Sequence, residues 1–143
     1  MAEQNFKNHT RLVAGYHGVT GLLIISFLVG SIITFVHAHD KVVQHAAMIM
    51  IVGAVAMIGL FWYARVFALK AQDRAIRAEE NFRHYILTGK PLDKQIRLGQ
   101  IIALRFASDE EFPALAKKAV EEKLTSKQIK QAIQNWRADY HRV

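Results

Sequence analysis

Two uncharged stretches, residues 19–36 (VTGLLIISFLVGSIITFV) and 42–64 (VVQHAAMIMIVGAVAMIGLFWYA), dominate the first half of the chain. A helix rises about 1.5 Å per residue, so roughly 20 apolar residues cover a hydrocarbon core about 30 Å thick. Each stretch meets that length. Neither carries the polar face that a core helix of a soluble domain turns toward water. A cleaved leader is the other reading of an early apolar run, but here a second run follows almost at once, with no clean small-residue cleavage site between them. The expectation is a transmembrane helical hairpin over 18–64, retained in the mature protein, with spans at about 18–37 and 44–64 and a loop at 38–43.

Charge sets the orientation of such a hairpin, because short cytoplasmic flanks retain the excess of Lys and Arg. The loop has Lys41 beside Asp40, whereas the amino-terminal segment 1–17 has Lys7 and Arg11, and Arg65, Lys70, Arg74, Arg77 and Arg83 follow the second run. Both termini are therefore expected on the cytoplasmic side of the membrane, with the loop outside. Tyr16 before the first run and Phe61, Trp62 and Tyr63 at the end of the second suit one shared interface. Over the whole chain, 19 Lys plus Arg stand against 12 Asp plus Glu, a formal charge of +7. That surplus suits anionic headgroups or nucleic acid alike. In the last third both signs are interspersed without a concentrated basic face, so nucleic acid is not an expected partner. No cysteine is present, which excludes disulfides, thiolate ligands and cysteine nucleophiles.

No helix breaker follows the second run until Gly89, so the helix is expected to extend through 65–88. Arg65, Lys70, Arg74 and Arg77 form its basic, lipid-facing side, while Ala71, Ala75, Ala78, Phe82 and Tyr85 form a neighbouring apolar stripe. In TGKPLD, Gly89 caps the long helix and Pro91 cannot continue it. Residues 89–143 then carry three short amphipathic patterns: Leu98, Ile101, Ile102 and Phe106; Phe112, Leu115, Ala116, Ala119 and Val120; and Ile129, Ile133, Trp136 and Tyr140. Ser108 with Glu111, and Thr125 with Gln128, have capping-box spacing. The expected fold class is an all-α membrane protein ending in a small three-helix cytoplasmic domain. A core this small is marginal alone and needs a neighbour, either the long helix through Phe82, Tyr85 and Ile86 or another copy.

The strings ENFRHYILTGKPLD, QIIALRFASDEEFPALAKKAVEEKL and IKQAIQNWRADYHRV resemble a widespread family of small, uncharacterised bacterial membrane proteins with two predicted spans. The resemblance is close over about residues 79–143 and extends to the hairpin in hydrophobic character. It implies a bacterial inner-membrane location and brings no reaction, cofactor or ligand.

Chemistry-bearing patterns are sparse. There is no Gly-rich phosphate loop and no HExxH, and the carboxylates sit where an exposed helix or a helix terminus places them, so the expectation is a non-enzyme without a cofactor. HAHDKVVQH (37–45) holds three of the seven histidines. His37, His39, Asp40 and His45 suit a polar loop first, with a divalent-metal site or a pH-sensitive gate as alternatives. Neither run carries an ionisable residue at mid-span, against a carrier. Small or hydroxylated residues fall on one face of each run: Ser26, Gly30 and Thr34 on the first, Gly53, Ala56 and Gly59 on the second. Such faces serve close helix packing or, in an oligomer, line a pore. The function expected from these features is self-assembly, or service as a small subunit or scaffold of a membrane complex. The alternative is an oligomeric channel or a metal- or pH-responsive protein.

Overall fold

The computed structural model describes residues 4–6 and 12–140, so Lys7 and Arg11 of the basic flank lie outside the described residues. The described residues are helical apart from connecting segments and one isolated antiparallel bridge between Ala107 and Trp136. A π-helical segment (Ala14–Thr20) leads into α1 (Gly21–His37), followed by α2 (Lys41–Thr88), α3 (Leu98–Leu104), α4 (Phe112–Glu121) and α5 (Ser126–Ala132). They fall into two compact units, one of Arg11–Ala68 and one of Met1–Thr10 with Leu69–Val143, so α2 contributes to both.

In the first unit α1 and the start of α2 form a hairpin. Asp40 starts α2 by accepting the amides of Val42 (2.7 Å) and Val43 (3.2 Å), which satisfies two of the donors a helix start leaves open. Partly or fully buried positions recur at three- and four-residue steps: Ile24, Leu28, Ser31 and Phe35 on α1, Gln44, Ala47, Ile51 and Ala54 on α2. This is the spacing of a knobs-into-holes seam. Its tightest points are small residues, Ser31, Ala47 and Ala54, at most 4% exposed. At the open end of the hairpin Tyr16 stacks on Phe61, ring centroids 4.3 Å apart, and its hydroxyl donates to the Phe61 carbonyl. Two helices, Ala14–His37 and Lys41–Thr88, are long and apolar enough to cross a membrane. Their apolar side chains stay largely uncovered: Leu22 is 68% and Leu60 70% exposed.

The second unit has the chain's main core, in which Leu104, Phe112, Ala119 and Ile129 are fully buried among Ile101, Leu115 and Ala116 from α3, α4 and α5. Gly89, at φ 71°, ends α2, its amide donating 2.8 Å to the Tyr85 carbonyl as the expected left-handed cap. Pro113 lies in the first turn of α4, where its missing N–H costs nothing. Thr125 and Gln128 form the expected reciprocal cap of α5. At α4 the serine half is absent: Glu111 Oε1 accepts the Ser108 amide at 3.3 Å, but no side chain caps the helix in return. Gly99 brings α3 close to α5, since a Cβ there would lie 3.0 Å from the Ser126 hydroxyl.

Two expectations are corrected here. The third amphipathic pattern is not one helix: α5 ends at Ala132, Ile133 turns extended (φ −67°, ψ 123°), and Trp136 and Tyr140 lie beyond it. The reason is backbone pairing. Arg137 N donates 2.7 Å to Phe106 O, and Ser108 N donates 3.1 Å to Asn135 O, so residues 135–137 lie alongside 106–108. The apolar stripe of α2 is also not its docking face, because Phe82, Tyr85 and Ile86 are 63%, 54% and 66% exposed. The inward positions are instead Ile76 and Glu80, both buried, with Arg83 and His84 partly so.

Candidate functional site

The inward face of α2 in the second unit is built around a buried ion pair. Glu80 and Arg83 are one turn apart, their side chains only 9% and 11% exposed, with Nη1 3.0 Å from Oε2. The same guanidinium lies 2.6 Å from Asp109 Oδ1, donates 2.8 Å to the Ala107 carbonyl, and sits 4.5 Å from the Phe112 ring centre. A buried charge is tolerated only when its donors are used, and here each side of the fork has an acceptor. His84 meets the edge of Phe112 (centroids 5.8 Å apart) and donates 2.8 Å through Nδ1 to the Lys90 carbonyl, a packing and capping role.

A second cluster fastens the carboxy-terminal segment. Glu111 accepts the amides of Ser108 (3.3 Å), Gln134 (3.1 Å) and Asn135 (3.2 Å). Trp136 stacks on the buried Phe106, with centroids 4.6 Å apart and planes 17° from parallel. Arg105, itself buried, covers the Phe106 ring at 4.6 Å and lies 3.3 Å from Asp139. The neighbouring Ser108 side chain, and then its own amide, hold the exposed Glu110 carboxyl below its ordinary value, against the repulsion of Asp109. These carboxylates act as backbone acceptors and ion-pair partners, which is structural work.

The residues singled out in the hairpin are placed as follows. His37 Nδ1 donates 2.9 Å back to the Ile33 carbonyl, Asp40 caps α2, and His39 and His45 are exposed. Among the described residues no three His, Asp or Glu side chains gather closely enough to hold a metal, so this set is not brought together within one chain. Ser26, Gly30, Thr34, Gly53 and Ala56 are exposed and Gly59 partly so; a Cβ added at Gly30, Gly53 or Gly59 meets nothing within 4 Å. The faces they form are not the seam that closes the hairpin. Thr34 returns its hydroxyl to Gly30 O (2.9 Å), and Ser31 to Phe27 O (2.8 Å), so both are satisfied inside the helix.

Of the basic residues, Lys70, Arg74 and Arg77 are exposed and Arg65 partly buried. Arg74 and Arg77 line a groove of about 450 Å³ between α2 and the 91–96 loop, with Lys94 on the same wall. Lys94 belongs to no helical repeat, so helical spacing does not group it with the two arginines. Only the turn after Pro91 brings them together.

The architecture defines a class: a helical chain with two helices long and apolar enough to cross a membrane, joined to a compact helical unit built on the end of the second. Within that class the chain belongs to DUF6526, a family of unknown function, whose model matches residues 1–143. The match takes in the hairpin as well as the carboxy-terminal part where the sequence resemblance is closest. No curated protein and no solved structure matches the chain.

Proposed function

We propose that this chain is a non-enzymatic integral protein of the bacterial inner membrane, with both termini cytoplasmic. It self-assembles or acts as a small subunit or scaffold of a membrane complex. Uncovered apolar surface supports this reading. On the hairpin, that surface is what lipid and neighbouring spans cover. On the second unit lipid is no obvious cover: Phe82, Tyr85 and Ile86 fall on one helical face, and each is more than half exposed. Three large apolar side chains on one face make a patch of the kind that marks protein–protein contact. The small-residue faces around Gly30 and Gly53 offer a second contact, inside the membrane, where close backbone approach replaces the hydrophobic effect as the driving force.

The test is mass measurement of the full chain in mild detergent and in nanodiscs. An assembly of several copies, or a co-purifying membrane subunit, is expected. A strict monomer with no partner overturns the assembly reading, and release from membranes by an alkaline carbonate wash overturns the integral one.

A further inference from the structure

We propose that the groove between α2 and the 91–96 loop is a phosphate-binding site, taking the phosphate of an anionic phospholipid headgroup or of a small soluble organic phosphate. The inference does not depend on assembly.

The second unit neutralises the arginines it buries: Arg83 has Glu80 and Asp109, and Arg105 has Asp139. Arg74, Arg77 and Lys94 are treated differently. They line one concavity of about 450 Å³, and among the described residues none of the three side chains has an ion pair or hydrogen bond. Arg74 and Arg77 are three apart on one helix, so their charges are neighbours and repel unless an anion lies between them. The single carboxylate on the wall, Asp93, already accepts the Gln95 amide at 2.8 Å.

The groove is also held in shape. Asn81 of α2 accepts the Leu92 amide at 3.0 Å, which ties the loop to the helix that carries the arginines. Leu92 and Ile96 are buried on either side of Lys94, and Ile96 N donates 3.1 Å to Asp93 O across the turn. Lys94 therefore sits on a fastened turn that lines the same groove as Arg74 and Arg77, and little ordering of the backbone remains to be done on binding. Two guanidinium forks and one ammonium suit a phosphate, since the forks supply directed paired donors and the ammonium a point charge. The floor is apolar, formed by Ala78, Leu92, Ile96 and Ile101. A phosphate attached to an organic group fits such a wall better than a bare ion.

The full chain is tested in two arms. In the first, it is placed in nanodiscs of phosphatidylcholine with or without phosphatidylglycerol, and the anionic lipids retained per chain are counted by native mass spectrometry. In the second, the detergent-solubilised chain is titrated with glycerol 3-phosphate against chloride of equal ionic strength, and the shift in Tm is read. Retention in the first arm assigns a lipid source, and a Tm shift in the second a soluble one. Lys94→Gln is expected to weaken the responding arm about fivefold, Lys94→Arg to leave it intact, and the triple change R74Q/R77Q/K94Q to abolish it. The pair R65Q/K70Q, basic residues outside the groove lining, serves as the control for surface charge. Equal losses from the groove and control variants overturn the proposal, as does silence in both arms.

Discussion

The guanidinium of Arg83 lies 4.5 Å from the centre of the Phe112 ring, so a charge on α2 packs against the first residue of α4. That contact, with the bonds to Asp109 and Ala107, fixes the end of the long helix to α4 and the segment before it, while Glu80 holds the guanidinium from within α2. Arg83→Ala removes the cation and leaves Glu80 buried without its partner. The expected loss is roughly 3 kcal/mol or more of unfolding free energy, measured by denaturant unfolding of the full chain. The double change R83L/E80L is expected to recover part of that loss, since apolar residues of similar volume replace a buried pair at little cost. No recovery would mean that Asp109 and Ala107, rather than Glu80, set the requirement.

Glu111 gathers three backbone amides, two of them from the segment after α5. Glu111→Ala takes away that acceptor while leaving the Ala107–Trp136 bridge possible. The expected result is faster amide exchange at Gln134 and Asn135, and a loss of about 1–2 kcal/mol in stability. Unchanged exchange at both amides would show that the stacking of Trp136 on Phe106 holds the segment unaided.

The two halves of the fold were unequally legible in the sequence. The apolar runs, the Gly89 cap, the Thr125–Gln128 cap and the buried face of α4 follow from length, φ requirement and helical period, all of them local properties. The docking face of α2 was not legible from apolarity, because it is built on Glu80 and Arg83 while Phe82 and Ile86 point away. A polar pair one turn apart reads as a solvated face unless its acceptors are known, and those lie at Ala107 and Asp109, distant in sequence. The end of α5 failed for a similar reason. Ile129, Ile133, Trp136 and Tyr140 keep helical spacing, yet pairing with 106–108 and the stack on Phe106 favour an extended chain. The anion groove depends on a turn that brings Lys94 to helix residues almost twenty positions earlier, which no periodicity encodes.

The Glu110 carboxyl is held below its ordinary value chiefly by the Ser108 side chain. A depressed carboxylate contributes stability above its unfolded pKa and loses it as pH falls through the folded value. Ser108→Ala is expected to move the Glu110 titration midpoint upward, read by NMR of the side-chain carboxyl. A midpoint that stays in place would assign the depression to the Glu110 amide alone.

Topology is read by placing single reactive labels. Positions 39–43 are expected to be modified from the periplasmic side and position 141 only from the cytoplasm, because the residues after the second run carry Arg65, Lys70, Arg74 and Arg77 while the loop carries Lys41 beside Asp40. The reverse pattern would place the Arg74, Arg77 and Lys94 groove in the periplasm. It would then be remote from the anionic lipids of the cytoplasmic leaflet, and its phosphate would have to come from a soluble source.

Association through the membrane faces has a sharper test than mass alone. A Cβ at Gly30 or Gly53 meets nothing within 4 Å inside the chain, and the seam residues Ser31, Ala47 and Ala54 lie elsewhere. Gly30→Leu and Gly53→Leu therefore leave the hairpin free to close, and each replaces a glycine by a better helix former, worth roughly 1 kcal/mol. If copies pack through these faces, the added side chains hold the backbones apart, and close approach is what drives association between spans. The expected outcome is an unchanged or raised thermal stability together with a smaller assembled mass in nanodiscs. Substitution at the seam should do the opposite: Ala54→Leu forces a large side chain into a position that is 0% exposed, and should destabilise the hairpin whether or not copies associate. A full-sized assembly from both glycine variants would exclude the small faces and leave Phe82, Tyr85 and Ile86 as the contact to be altered next.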